Sequence, residues 1–474
     1  MSSSTPQKIA FNVIIASISK ILNTGLALLG LMLITRYLGP NKFGLYITAL
    51  AFSGLFNSLG DWGIYQTATR EISRPKANEK IIIGNVMALR ITLSVVLAFL
   101  LPVIIYFLPY TTELKIALFL ILLSYIFYSF YQVLIGLFQK RLIMYKITLV
   151  ELLGKLIQVG IVLLTIKLDL GFKFVVLGIT GSMFINFILV YILSRKFIHF
   201  KLNFNTQAWK KFLKESWPIG LSVIVTFIYF RADSILLKTL RGNVDVGIYG
   251  AAYKVLENIT FFPGMIIGLI MPMLSYYVFK DRRKFKTIVN ENFKLFTILI
   301  IPLIIIVMFF AEDIIQIIAG DAFTASATVL RIVIFALAFI FFGMLFGNIL
   351  LVAKLQKQQL VALSICAFFN VGANLIFIPK YSYLSTAYVS VVTEFLVVAL
   401  SAYIVYKNLH FLPKMKNFGF VVLAGLAMVL YIFVFSSFPF FFLLLTSPLI
   451  YFVLLIFLKV VTKKEIQMLI KKEI

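Results

Sequence analysis

The sequence predicts an all-α integral membrane protein of about fourteen transmembrane helices. They form two parallel-repeat six-helix bundles around a central cavity, plus a C-terminal helix pair. Three observations predict this. The 474 residues are 62% hydrophobic, with a mean hydropathy of +1.03, whereas a soluble domain is about 45–50% apolar. Apolar runs recur from end to end, and each has the ~18 or more residues needed to cross a hydrocarbon core of roughly 30 Å. A short motif, G-x4-G-x-Y, also occurs at the same place in each half. A β-barrel would instead show short alternating segments.

The first span is 9–35. Asn12, Ser19 and Asn23 share a face of it, with Lys20 and Thr24 beside them. The opening MSSSTPQKIAFN lacks the short apolar core and cleavage site of a secretory signal, so this span is expected to stay in the mature chain. A Gly39-Pro40-Asn41 turn leads into the second span, 43–69, which carries Asp61 and closes on Arg70-Glu71. Spans three to six are 81–108 (with Arg90), 114–138, 146–166 and 172–194. On the fourth, Ser124, Tyr128, Tyr131, Gln132 and Gln139 form a stripe; on the fifth, Glu151, Lys155 and Gln158 fall at i, i+4 and i+7. Residues 195–211 mix aromatics with lysines, as an amphipathic interfacial linker does.

The second half repeats the plan. Its spans are 212–238, 245–278, 292–311, 326–351, 358–378 and 382–406, followed by the pair 417–435 and 438–460. On the seventh, Arg231, Ser234 and Lys238 share a face from which Asp233 points away. On the eighth, Lys254 and Glu257 stand at i, i+3 with Asn258 beside them; Pro263, Gly264, Gly268 and Pro272 read as hinges or as static kinks. On the twelfth, Thr386, Ser390 and Thr393 align, with Glu394 adjacent. The expected organisation is an N-terminal bundle (1–194), a basic linker (195–211), a C-terminal bundle (212–407) and a two-helix segment with a tail (408–474). At an offset of 203 residues, Gly39, Gly44, Tyr46 and Ala49 fall on Gly242, Gly247, Tyr249 and Ala252. Six spans is an even number, so both repeats enter the membrane from one side and are parallel.

Basic residues predict the orientation. Thirty of the 44 lysines and arginines fall in one set of loops and nine in the alternate set. The positive-inside rule then places both termini in the cytoplasm of a multi-pass cell-membrane protein. The net charge of +26 is read as this bias plus attraction to anionic lipid, not as nucleic-acid binding.

A charge in the hydrocarbon costs about 2.5–3.5 kcal/mol on insertion scales, so each is a functional candidate. The cavity candidates are Lys20, Asn23, Asp61, Arg70, Arg90, Gln132, Lys155, Arg231, Lys254 and Glu257. Their stripes either line a shared water-filled cavity or bond to one another across helices. Glu151/Lys155 and Lys254/Glu257 are also spaced to form neutral pairs within a helix, and Arg36, Arg70 and Arg90 lie near enough to helix ends to snorkel. The sequence puts no acidic residue three or four positions from Lys20 or Arg231. Asp233, Asn370, Asn374, Thr393 and Glu394 supply oxygen ligands suited to a coupling Na+ or H+, or else serve hydrogen-bonded packing. No other cofactor is expected. The lone cysteine, Cys366, excludes an intramolecular disulfide and reads as core, and His199 and His410 sit in basic loops unsuited to a proton relay. Walker, G-x-S-x-G and His/Cys metal patterns are missing, so no enzyme is expected.

The stretch TRYLGPNKFGLYITALAFSGLFNSLGDWGIYQTATREIS resembles the opening of the Wzx-type polysaccharide (O-antigen/oligosaccharide) flippases of the multidrug/oligosaccharidyl-lipid/polysaccharide exporter superfamily. RADSILLKTLRGNVDVGIYGAAYKVLENITFFPGMIIGLIMPMLS is similar to their seventh and eighth helices, and NVGANLIFIPKYSYLSTAYVSVVTE to their eleventh and twelfth. The resemblance runs to about residue 410; the last two helices vary more in that family. One departure is at the eleventh-to-twelfth turn, where the family pattern has glycines and Ser382 and Ser385 stand here. The resemblance implies alternating access by two bundles. It implies a polyprenyl-diphosphate-linked oligosaccharide as substrate, carried from the cytoplasmic to the outer leaflet in lipopolysaccharide or other surface-polysaccharide synthesis. Membrane lipids, a polysaccharide polymerase and chain-length proteins are the implied partners. Two relatives with the same architecture stay open: a lipid II flippase, and a cation-coupled antiporter of the multidrug (MATE-like) type. A glycan ligase or polymerase fits less well, because every outside loop is a short turn.

Overall fold

The computed structural model describes residues 5–461 apart from Pro75, Leu142 and Lys416, with side chains from residue 18 onward except that of Tyr229. The side chain of Asn12, on the first polar face, and the tail beyond residue 461 lie outside what is described. Among the described residues there are fourteen α-helices, and each of the fourteen expected spans is largely helical. Among the described residues, ten helices are long and apolar enough to cross a membrane, and Thr206–Arg241 makes an eleventh if its two bent parts count as one span.

The first and second spans form one helical run, α1 (Thr5–Asp61), broken only at Gly39, whose φ of 62° is left-handed. Pro40 follows and restarts the helix. A second break at Trp62 and Gly63 separates α1 from α2 (Ile64–Ser73). Four helices follow: α3 (Glu79–Phe107), α4 (Thr112–Lys140), α5 (Met144–Lys167) and α6 (Phe172–Arg195). Asn78 and Thr111 cap α3 and α4 by accepting from the Ile81 and Leu114 amides.

The basic linker is short. Asn205 already caps α7 (Thr206–Arg241), and the Asn203 amide donates to the Gly84 carbonyl of α3 at 3.2 Å. The Trp209 indole donates to the Asn85 carbonyl at 3.1 Å. These bonds lay the linker along α3. The first compact unit accordingly does not stop at residue 194: it runs through Gly250 and adds Ile318–Ala322 and Asn374–Tyr383.

The eighth span is two helices, α8 (Asn243–Ile259) and α9 (Phe261–Lys280), divided at Thr260. Pro263 lies in the first turn of α9, where a proline costs no helix hydrogen bond. Next come α10 (Arg282–Ile318), α11 (Ala325–Val352) and α12 (Gln356–Leu409), the last spanning two expected helices across one kink at Ser382. The pair α13 (Phe418–Val434) and α14 (Phe440–Phe457) completes the chain. In the second compact unit this pair packs on α10 through Ile298, Ile305, Val421, Met428, Leu443 and Tyr451.

Inside the first unit the two copies of the repeated turn seat on each other. A Cβ on Gly44 would stand 1.8 Å from the Asn243 carbonyl oxygen, and one on Gly247 would stand 2.1 Å from that of Pro40. Pro40 and Asn243 are themselves related by the same 203-residue offset, so the contact is reciprocal. The Asn243 side-chain Nδ2 also donates to Asn41 Oδ1 at 2.8 Å. The duplicated glycines are thus the two halves of one close backbone approach.

Candidate functional site

Within the first unit, the polar stripes of α4 and α5 meet. Tyr131 donates its hydroxyl to Glu151 at 2.8 Å, Gln132 donates to the Tyr128 hydroxyl at 3.1 Å, and Lys155 reaches Gln158 at 3.0 Å. All except buried Tyr131 are half-buried. A mixed set of hydroxyls, amides, a carboxylate and an ammonium can bond to polyols and to anions. Lys20 and Asn23 are half-buried on α1, and Ser19 beside them is buried. Arg231 is half-buried on α7, where Gly54 leaves room for the Phe227 ring and the Arg231 stem.

Asp61 and Arg90, expected on a cavity wall, instead lie in the interior, 3% and 0% exposed. Arg90 bonds to the Asp61 carboxylate, to the Gly60 carbonyl at 3.2 Å and to the Ser129 hydroxyl at 3.4 Å. The same carboxylate accepts from the Gly63 amide at 3.1 Å and the Tyr65 amide at 3.2 Å. The pair therefore holds the α1–α2 break and the start of α2, where a helix favours negative charge. Arg70 does sit at the surface, donating to Glu71 at 3.2 Å and to Glu215 at 2.8 Å.

Asp233 and Asn374 belong to the first unit; Asn370, Thr393 and Glu394 belong to the second. Asp233 is buried and accepts from the Tyr249 hydroxyl at 2.5 Å and the Ser234 amide at 2.6 Å. In the second unit, Asn370 donates to Thr393 at 3.2 Å and Glu394 is buried. Lys254 and Glu257 form the expected i, i+3 pair at 2.6 Å. Among the described residues no group of three His, Cys, Asp or Glu is placed to hold a metal ion.

Three polar junctions escaped the sequence reading. Glu79 gathers Lys140 and Arg141, each at 2.7 Å. Asn85 receives the linker through its carbonyl and its side chain. Asp245 accepts from Ser382 and pairs with Arg241 at 3.5 Å. Only the last left a trace in the sequence, the i, i+4 spacing of Arg241 and Asp245.

Residues 9–278 match the family described as polysaccharide biosynthesis protein, which is more than half of the chain. The chain belongs to that family. Residues 218–376 also match the MatE family. The chain is 24% identical over 219 residues to the capsular polysaccharide biosynthesis protein CapF of Staphylococcus aureus, covering 45% of this chain and 54% of CapF. It is 24% identical over 223 residues to the uncharacterized membrane protein MJ1068 of Methanocaldococcus jannaschii, covering 46% and 44%. The chain thus spans about half the length of the curated relatives it matches. Its fold is similar to that of a solved structure of the lipid II flippase MurJ, inward closed conformation, with a TM-score of 0.77 over 93% of this chain and 98% of MurJ at 16% identity. It is also similar to an inward-facing MATE-family multidrug transporter, with a TM-score of 0.60, 15% identity and coverage of 83% and 98%. At these identities the likeness is one of fold. The all-α architecture of these solved structures is therefore also that of this chain.

Proposed function

We propose that this protein is a flippase, not an enzyme. It moves a polyprenyl-diphosphate-linked oligosaccharide from the cytoplasmic to the outer leaflet of the cell membrane by alternating access. The observation that carries the reading is a member of a polysaccharide biosynthesis family folded over 93% of its length like a lipid II flippase. Charge chemistry supports it. A diphosphate needs cations in a dehydrated path, and Lys20, Lys155 and Arg231 are cations within apolar helices. Half-buried Tyr128, Gln132 and Gln158 suit sugar hydroxyls. Both termini are assigned to the cytoplasm, and Na+ or H+ coupling to Asp233 or Glu394.

The MatE match over 218–376 favours a second reading, efflux of an organic cation. Cationic side chains on the path oppose it.

The test is translocation by purified protein in proteoliposomes, followed with a fluorescent lipid-linked oligosaccharide and a membrane-impermeant quencher. Wild type is expected to flip it. Lys20→Gln and Arg231→Gln are each expected to slow flipping about tenfold or more, since a hydrogen bond to a charged group contributes about 1.5–3 kcal/mol. Wild-type rates in both variants would refute the assignment of these cations. Flipping of lipid II alone would assign the protein to that substrate, and cation efflux without flipping would establish the second reading.

A further inference from the structure

Where the linker lies on α3, the first unit contains a cavity of about 190 Å³. Its apolar walls are Ile82, Val86 and Leu89 of α3 and Ala208, Trp209 and Phe212 from the first turns of α7. Three charged residues also line it: Glu71, Glu215 and Lys211. Both carboxylates are engaged by arginine, Glu215 by Arg70 at 2.8 Å and Glu71 by Arg70 and Arg74 at 3.2 and 2.9 Å. Lys211 is exposed and makes no ion pair among the described residues. Lys214, one turn on, is exposed on the same face, and Lys210 is exposed as well. Exposed Leu202, Phe204 and Trp217 flank these lysines. Aromatics and lysines around an apolar recess at a helix end mark the headgroup level of a bilayer.

We propose that this cavity is a binding site for an anionic phospholipid, with one acyl chain against Trp209 and the phosphate on Lys211 and Lys214. Charge selects the occupant: Arg70 and Arg74 neutralise the two carboxylates of the recess, which leaves the Lys211 charge in excess, so an anionic head is favoured over a zwitterionic one. A lipid seated there would brace the contact between linker and α3 that Asn85 and Trp209 make. The site is separate from the polar stripes of α4 and α5, and its occupancy is measured without transport.

The chain has three tryptophans, so Trp62→Phe with Trp217→Phe leaves Trp209 as the only one. Phosphatidylglycerol with brominated chains, titrated into the protein in detergent, is expected to quench Trp209 saturably. Phosphatidylcholine with the same chains is expected to need several times more lipid. Lys211→Gln should weaken phosphatidylglycerol about fivefold, the share of one lysine near an anionic surface, and Lys211→Arg should restore it. Ala208→Phe should fill the recess and abolish quenching. Equal quenching by both headgroups would overturn the proposal, because Trp209 would then be touching ordinary boundary lipid. Undiminished phosphatidylglycerol affinity in Lys211→Gln, an exposed change that leaves the fold intact, would overturn it as well.

Discussion

Arg90 heads the fully buried side chains by size, and its cost is met by one partner. A guanidinium in the interior is tolerated when its charge is paired and most of its donors are bonded. Asp61 supplies the charge at Nη2, and Gly60 and Ser129 accept from Nη1, while the buried Nε has no hydrogen-bond partner. Removing one member of such a pair costs about 3–5 kcal/mol, because the remaining charge stays buried. Arg90→Met is therefore expected to lower the apparent melting temperature in detergent markedly. Adding Asp61→Asn should recover part of the loss: Asn brings no charge and keeps one oxygen for the Gly63 or Tyr65 amide. A wild-type midpoint in Arg90→Met would show that the pair carries no stability. Ser382 is a smaller case. It stands at φ 54°, a conformation that favours glycine, at the turn where the resembled family has glycines. Its hydroxyl donates to Asp245, a bond that glycine could not make. The sequence marks Asp61 and Arg90 as costly charges. It does not reveal that they meet, because they are 29 residues apart on either side of a helix break that nothing in Asp61-Trp62-Gly63 made evident.

At the scale of elements, helices were legible because apolar length alone identifies a span. Their joints were less so. The turns at Gly39 and Ser382 are single-residue kinks inside long helical runs, and the boundary of the first unit lies within the eighth span. The duplicated G-x4-G-x-Y motif was visible as a repeat, yet the reason for its glycines is tertiary. Each lets the turn of one repeat approach the backbone of the other, at a distance no Cβ tolerates. Even alanine at Gly44 or Gly247 must therefore push the two turns apart. Asn41 and Asn243 report on this, since their side chains are bonded at 2.8 Å. In a Cys366→Ala background, Asn41→Cys with Asn243→Cys is expected to form a disulfide readily under mild oxidation. Adding Gly44→Ala or Gly247→Ala should suppress that crosslink while the protein still elutes as a folded species. An undiminished crosslink in both glycine variants would mean that the turns have other means of meeting.

For the molecule as a whole, the decisive property is which end of the helices faces the cytoplasm, because that sets the direction of any substrate movement. The charge bias is large: thirty basic residues in one set of loops against nine in the other. Moving even one lysine or arginine through the centre of a bilayer costs about 2.5–3.5 kcal/mol on insertion scales, so few alternative topologies compete. The fold adds a second constraint. The linker between the two repeats is held on α3 by Asn203 and Trp209, so its lysines must share a membrane face with the start of that helix. Lys201 in the linker and Lys167 at the end of α5 belong to opposite sets of loops, and both are exposed. With Cys366→Ala as background, Lys167→Cys is expected to react with a membrane-impermeant maleimide on intact cells. Lys201→Cys should react only after the membrane is opened. The reverse pattern would invert the orientation, and with it the proposed direction of flipping. Equal labelling of both positions on intact cells would mean that the two loops share one side. The assigned number of crossings between them would then be wrong by one, which would also undo the parallel relation of the two repeats.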